Sequence, residues 1–310
     1  MPLKPHECSY LCVTGAGARA SAYIGVMKAM ETHFERVCET TWCAFVKNSL
    51  CGFSGTSAGA VIALSVCLGH TSDVLEDVCA NLMRDPAAVL ARPDIRTLVD
   101  FYGLDHGHEL RTAISLLLER AGISRDVTFC QLDKLTGSRF SCTATNLNTR
   151  RPVLFDADET PNMRIADAVF ISCSVPLLFT PTTINGNYYV DGSITSDVPP
   201  VYLDCNTMYW TIPTTMNHDI SGWRDYVCAV IESMAASIPS NYIADADHRC
   251  IVRCDLSNCS APMGMDVAAA HDSTVYMRIG YESALTVLYD DICKFMHLLV
   301  LAVLECVLGM

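Results

Sequence analysis

Apolar positions along the chain fall into short unbroken runs and into stretches at helical spacing. Tyr10-Leu11-Cys12-Val13-Thr14 is a run that stops at glycine, which predicts a buried strand. Tyr23, Val26, Met27 and Met30 then repeat at the spacing of a helix face. Leu50-Cys51-Gly52-Phe53-Ser54 reads as a second strand, and Ala60 to Leu68 has no polar face, as in a helix buried all round. Gly69 stops that helix, and Ser72 can cap the next one, which carries Val74, Leu75, Val78 and Leu82. Pro86 and Pro93 break the chain. Glu109 to Ala121 predicts an amphipathic helix through Leu110, Ile114, Leu117 and Leu118, ending at Gly122. Thr128-Phe129-Cys130-Gln131 has the spacing of a capping box and starts a short helix before Gly137. Phe140 to Thr145 and Val153 to Phe155 predict two strands joined by Asn146-Leu147-Asn148-Thr149, and Met163 to Phe170 returns to the helical period. His106 and His108 flank Gly107 in a polar stretch and read as solvated loop histidines.

Composition narrows the classes. The 310 residues are 51% hydrophobic and 18% charged, without repeats, low-complexity tracts or a Pro/Gly/Ser linker, so a single core is expected. A net charge of −13 argues against a nucleic-acid partner, which needs clustered Lys and Arg, and against purely electrostatic attraction to anionic lipid. The 17 cysteines have no regular spacing, which suggests free thiols in a reducing compartment. His248, Cys250, Cys254 and Cys259 come nearest to a metal constellation. They contain no Cys-x-x-Cys pair, and Cys250 to Cys254 alternates like a strand, so neither metal nor cofactor is expected. No apolar run precedes His6 and Cys8, so no signal peptide is recognisable and a cytoplasmic location is expected. Phe295 to Met310 is strongly apolar, but its 16 residues fall short of the roughly 20 a membrane span requires, and Glu305 interrupts it. That segment, with 291–294, is expected to be a helix docked on the 8–290 domain or lying against a membrane surface.

Three segments carry candidate chemistry. Gly55-Thr56-Ser57-Ala58-Gly59 has the Gly-x-Ser-x-Gly pattern of a sharp strand-to-helix turn that exposes a serine hydroxyl, which makes Ser57 a candidate nucleophile. Gly15-Ala16-Gly17-Ala18-Arg19-Ala20 places a glycine-rich loop between strand and helix, with several backbone N–H groups at a helix start. Such a loop suits either a dinucleotide, with Glu35 or Glu39 as the acidic partner, or the oxyanion of an acyl-transfer intermediate; alone it does not decide. In Tyr188-Tyr189-Val190-Asp191-Gly192-Ser193 an aspartate follows a β-prone run, and a carboxylate there can serve as the base a serine nucleophile needs. His218, His248, His271 and His297 leave a Ser-His-Asp triad open on spacing alone.

Together these segments resemble the patatin-like phospholipases. Thr143 to Val153 is similar to that family's strand-turn-strand, and Ser172-Cys173-Ser174-Val175-Pro176-Leu177-Leu178-Phe179-Thr180-Pro181 to the Ser-x-x-x-Pro-x-x-Phe-x-Pro stretch before its catalytic aspartate. Several ordered motifs settle the first loop against a dinucleotide. The resemblance implies a three-layer α/β/α fold with a mostly parallel central sheet. It also implies a lipid acyl hydrolase, acting on phospholipid or another lipid ester, with a Ser-Asp dyad and neither histidine nor metal. On it, Ser57 is the nucleophile, Asp191 its base, and the main-chain N–H groups of Gly15, Ala16, Gly17 and Ala18 form the oxyanion hole. Arg19 orders that loop, while Gly55, Gly59 and Gly192 support the turns. The chain departs from the family at Ala16 and Ala20, where glycine is usual, so a positive φ at either would strain the loop. Ser193 replaces a usual Gly or Ala.

Overall fold

The structure is a computed structural model that describes residues 3–83, 95–196, 206–213, 229–230, 233–234, 249–256 and 273–289. The chain begins with strand β1 (Tyr10–Val13), helices α1 (Ser21–Arg36) and α2 (Trp42–Ser49), strand β2 (Gly52–Thr56), and helices α3 (Ala58–Cys67), α4 (Ser72–Met83) and α5 (Ile95–Phe101). Next come β3 (Gly103–Asp105), α6 (His108–Arg120), α7 (Phe129–Thr136), β4 (Arg139–Asn146), β5 (Arg151–Phe155) and α8 (Ile165–Ser172). The last elements are β6 (Leu177–Phe179), β7 (Thr182–Ile184), β8 (Asn187–Asp191), β9 (Thr207–Thr211), β10 (Arg249–Arg253) and α9 (residues 273–289).

The main sheet runs in the order β10-β9-β1-β2-β4-β8-β7, with β5 also paired to β4. From β10 to β4 every pairing is parallel; β5, β8 and β7 are antiparallel additions. Helices flank the sheet, giving the mostly parallel α/β/α layering. Parallel strands covered on both faces need apolar or hydrogen-bonded side chains throughout. Accordingly all of β2 and β9 is buried, polar residues included. Ser54 is satisfied by the Ser141 hydroxyl at 2.8 Å and Thr56 by the Thr143 hydroxyl at 2.6 Å. α3 is buried along nearly its whole length and packs on β1, β2 and β4, as its lack of a polar face predicts. At one side of the sheet Trp210 of β9 stacks on Trp42 of α2, with ring centroids 6.2 Å apart.

Several expected boundaries shift for identifiable reasons. The capping box of α7 forms: Gln131 N–H donates to the Thr128 hydroxyl, and Thr128 N–H donates to the Gln131 side chain. The helix expected from Met163 begins only at Ile165, because the Met163 carbonyl accepts the Phe129 N–H and the chain there is held extended by a bridge between Thr128 and Arg164. Ser72 does not cap α4 but is its first residue. Its N–H and hydroxyl both donate to the Glu31 carboxylate on α1, at 2.7 and 2.5 Å, so a neighbouring helix supplies the cap. Burial pushes the Glu31 carboxyl above its ordinary pKa. His106 and His108 are solvated as expected, although His108 already belongs to α6. The cysteines whose side chains are described are free thiols, most of them buried, and burial pushes those of Cys67 and Cys254 up to about 12.

His70 supplies a pH dependence. It is buried, with Nε2 2.9 Å from the Leu117 carbonyl oxygen, to which a neutral ring donates. Burial holds its pKa below the ordinary 6.5. The unfolded chain therefore takes up a proton that the folded chain refuses. The stabilisation is complete above about pH 6.5 and is lost as pH falls through the folded value. Thermal melts of the wild type are expected to fall in midpoint as pH drops below that range. His70→Gln, which has no titrating ring there, is expected to show a shallower fall.

Candidate active site

β2 delivers Ser57 to the C-terminal end of the sheet, and the chain reverses there into α3. Ser57 adopts φ 55° and ψ −133°, a conformation that costs a non-glycine residue on the order of 1–3 kcal/mol. The surroundings hold it. Its N–H donates to the Ser172 hydroxyl at 2.9 Å, and its carbonyl accepts the Ala60 N–H at 2.8 Å. Gly59, one residue into the helix, lies against β1: a Cβ there would stand 2.3 Å from the Thr14 carbonyl oxygen and 2.5 Å from that of Val13. Gly55 and Gly192 are hemmed in by backbone in the same way.

Asp191 reaches Ser57 through the registers of β4. Along β4, β2 pairs with residues 139–143, β8 with 144–146, and β5 with 142–146. A strand has only two edges. Since β5 overlaps both other partners, β2 and β8 must share the opposite edge, end to end. Thr56 pairs with Thr143 and Asp191 with Ala144, so the residue that leaves β2 meets the residue that ends β8. The Ser57 hydroxyl donates to Asp191 Oδ2 at 2.6 Å, and Asp191 Oδ1 accepts the Ser193 N–H at 2.8 Å. The aspartate backbone is fixed as well, its N–H donating to the Ser174 carbonyl at 2.9 Å and its carbonyl accepting the Thr145 hydroxyl at 2.8 Å. Both side chains are buried, Asp191 to 2% exposure and Ser57 to 6%. The neighbouring Cys173 thiol is pushed well above its ordinary range, first by burial and then by the Asp191 charge, so it stays protonated and a poor nucleophile.

The glycine-rich loop follows β1, the strand next to β2, and the seating of Gly59 on Val13 and Thr14 brings the start of α3 against its beginning. Only Gly17 in the loop has positive φ, at 57°, and a glycine stands there. Ala16 (φ −150°) and Ala20 (φ −56°) both have negative φ, so the strain that a positive φ would impose at either alanine does not arise. Arg19 is buried, and both its Nε and its N–H donate to the Ala16 carbonyl, at 3.3 and 3.2 Å, tying the loop together. A dinucleotide does not fit this context. Glu35 lies near the far end of α1, roughly 22 Å along the axis from the loop, and α2 rather than a strand follows.

Among the described residues, the group that the Ser57 hydroxyl meets is the Asp191 carboxylate. His218, His248, His271 and His297 lie outside the described residues, as do Cys259 and the 291–310 segment. Cys250 and Cys254 are buried at and just after β10, and among the described residues no group of His, Cys, Asp or Glu is arranged to hold a metal ion. The residues that sequence reasoning had not singled out are Ser172, Thr145 and Thr143. The Ser-x-x-x-Pro pattern carried Ser172 without revealing its role. Replacing Ser172 with Ala leaves the buried Ser57 N–H without an acceptor and is expected to lower stability by about 1–3 kcal/mol, measured by urea unfolding.

The family model for patatin-like phospholipases matches residues 11–204, which include the loop, the serine turn and Asp191. The chain belongs to the patatin-like phospholipase family. It is 26% identical over 194 residues to an uncharacterized protein of Acanthamoeba polyphaga mimivirus, covering 63% of this chain and 61% of that one. It is 23% identical over 200 residues to a probable lipid hydrolase of Invertebrate iridescent virus 6, covering 64% and 63%. The matches thus span less than two thirds of these relatives' lengths. In fold, this patatin-like chain is similar to VipD from Legionella pneumophila, with a TM-score of 0.52 at 15% identity over 91% of this chain and 67% of that one.

Proposed function

We propose that the protein is a serine lipid acyl hydrolase of the phospholipase A type, cleaving carboxylic esters through a Ser57-Asp191 dyad and an acyl-enzyme. The carrying observation is the 2.6 Å hydrogen bond from Ser57 Oγ to Asp191 Oδ2, in a buried pair whose second carboxylate oxygen is held by the Ser193 N–H. As Ser57 Oγ attacks the ester carbonyl, Asp191 accepts its proton. Main-chain N–H groups of Gly15, Ala16, Gly17 and Ala18 stabilise the oxyanion. Collapse of the tetrahedral intermediate expels the lyso-lipid alcohol, which takes the proton from Asp191. Water, deprotonated by Asp191, then attacks the acyl-enzyme and releases the fatty acid with Ser57 restored. The substrate is a phospholipid or related lipid ester met at a membrane surface, and the chain works there as a peripheral protein.

A catalytically weak, lipid-binding or regulatory member is the alternative reading, kept open by alanine at two loop positions where the family usually has glycine. Neither alanine has the positive φ that would strain the loop, which favours the hydrolase. The test is incubation with phosphatidylcholine carrying distinguishable acyl chains. Equimolar fatty acid and lysophosphatidylcholine are expected. Cleavage of triacylglycerol alone, or transfer of the acyl group to an added lipid without free fatty acid, would replace the phospholipase reading with a lipase or transacylase.

A further inference from the structure

We propose that an exposed apolar rim made by Val99, Phe101, Tyr102, Leu147, Leu177 and Tyr188 is the face on which this protein lies against a zwitterionic lipid bilayer. The inference rests on the lipid-hydrolase reading and adds to it the surface through which substrate is reached. These side chains are exposed by 38% at Tyr188 to 71% at Val99, whereas most large apolar side chains described are buried. Tyr102, Leu147, Leu177 and Tyr188 lie together although they come from separate segments, and Val99 and Phe101 stand just before Tyr102 in the chain. The Tyr102 and Tyr188 rings are 6.0 Å apart, edge to face, and Leu147 N–H donates to the Tyr188 carbonyl at 2.9 Å. Gly103, after Tyr102, pairs with Leu177.

The rim stands at the end of the sheet that carries Ser57. Leu147 is the first residue past the C-terminal end of β4, and Tyr188 lies on β8 three residues before Asp191, roughly 10 Å away along the strand. Leu177 follows Ser174, whose carbonyl holds the Asp191 N–H. Tyr102, just before β3, and Leu177, at the start of β6, both have positive φ, 66° and 68°, where Asn or Gly would fit with less strain. Tyrosines among aliphatic side chains, with the exposed His106 ring 5.3 Å from Phe101, match the mixed polarity of a bilayer's interfacial zone better than a dry protein core. The net charge of −13 argues against purely electrostatic recruitment by anionic lipid and so favours a zwitterionic surface. Among the described residues no helix is long and apolar enough to cross a membrane.

The test is flotation with phosphatidylcholine vesicles, using Ser57→Ala protein so that no lipid is consumed, with and without Val99→Ser plus Phe101→Ser. The double substitution is expected to weaken vesicle binding by about tenfold or more, and added phosphatidylserine is expected not to restore it. On an active Ser57 background, vesicle hydrolysis falls by the same factor while turnover of a soluble short-chain ester is unchanged. Equal flotation with and without the double substitution overturns the proposal. So does unchanged flotation together with loss of self-association in sedimentation, which would make the rim a contact between copies. Flotation that depends on the rim in a protein with no ester turnover would uphold the docking face and remove the hydrolase reading.

Discussion

Ser57→Ala is expected to reduce ester hydrolysis to background, and Asp191→Asn to reduce it by about 10²–10⁴-fold, while both proteins remain folded. Alanine removes the only oxygen at the turn able to form the acyl-enzyme. Asparagine keeps the size of the side chain and can still accept the Ser193 N–H, but it cannot take the proton of Ser57 at neutral pH. Folding survives because the serine turn is held largely by groups other than its hydroxyl: the Ser172 acceptor, the Ala60 N–H and the seating of Gly59. Ser57→Gly separates stability from activity. It is as inactive as Ser57→Ala, yet is expected to be about 1–3 kcal/mol more stable than that variant, because glycine tolerates φ 55° and ψ −133° and alanine does not. Activity on a soluble ester and urea midpoints of the three variants provide the check. Turnover near wild type in either Ser57→Ala or Asp191→Asn would contradict the dyad.

Gly59→Ala is expected to cost about 3 kcal/mol or more and to abolish activity in whatever protein remains folded. The added carbon would fall 2.3 and 2.5 Å from two carbonyl oxygens of β1 and the loop after it. Those atoms are main chain in the middle of the sheet and cannot rotate away, so α3 must lift. That movement shifts Ser57 relative to the glycine-rich loop as well as loosening the core. Urea unfolding followed by circular dichroism checks the stability. A midpoint equal to wild type would mean that α3 is not seated on β1 as described.

The two candidate side chains could be picked out in the sequence because each sits in a turn that few residue types can form: glycines around Ser57, and a glycine after Asp191. Their meeting was not. It depends on β2 and β8 sharing one edge of β4 in consecutive registers, a pairing between segments more than a hundred residues apart that no local pattern encodes. Helices with a clear 3.6 period, such as α6, were found to within a residue. Buried strands with mixed composition were harder to see: Thr207-Met208-Tyr209-Trp210-Thr211 has polar ends and no alternation, because both faces of β9 are covered. Among the described residues β3 and β6 pair only with each other, and they are too short to leave a period. The Glu31 cap on α4 is likewise a contact between helices, invisible to a search for capping residues next in sequence. The concern raised by Ala16 and Ala20 came from residue type alone, and the backbone angles answer it.

Ser57, Asp191 and the loop from Gly15 to Ala18 are expected to work as one acyl-transfer site. Intact mass after exposure to a long-chain alkyl fluorophosphonate tests it most directly, because the reagent needs an activated serine, an oxyanion site and room for an acyl chain at once. A single adduct is expected on the wild type, mapping to Ser57 and absent from Ser57→Ala. Folded wild-type protein that gains no mass, or an adduct that persists in Ser57→Ala, would contradict it.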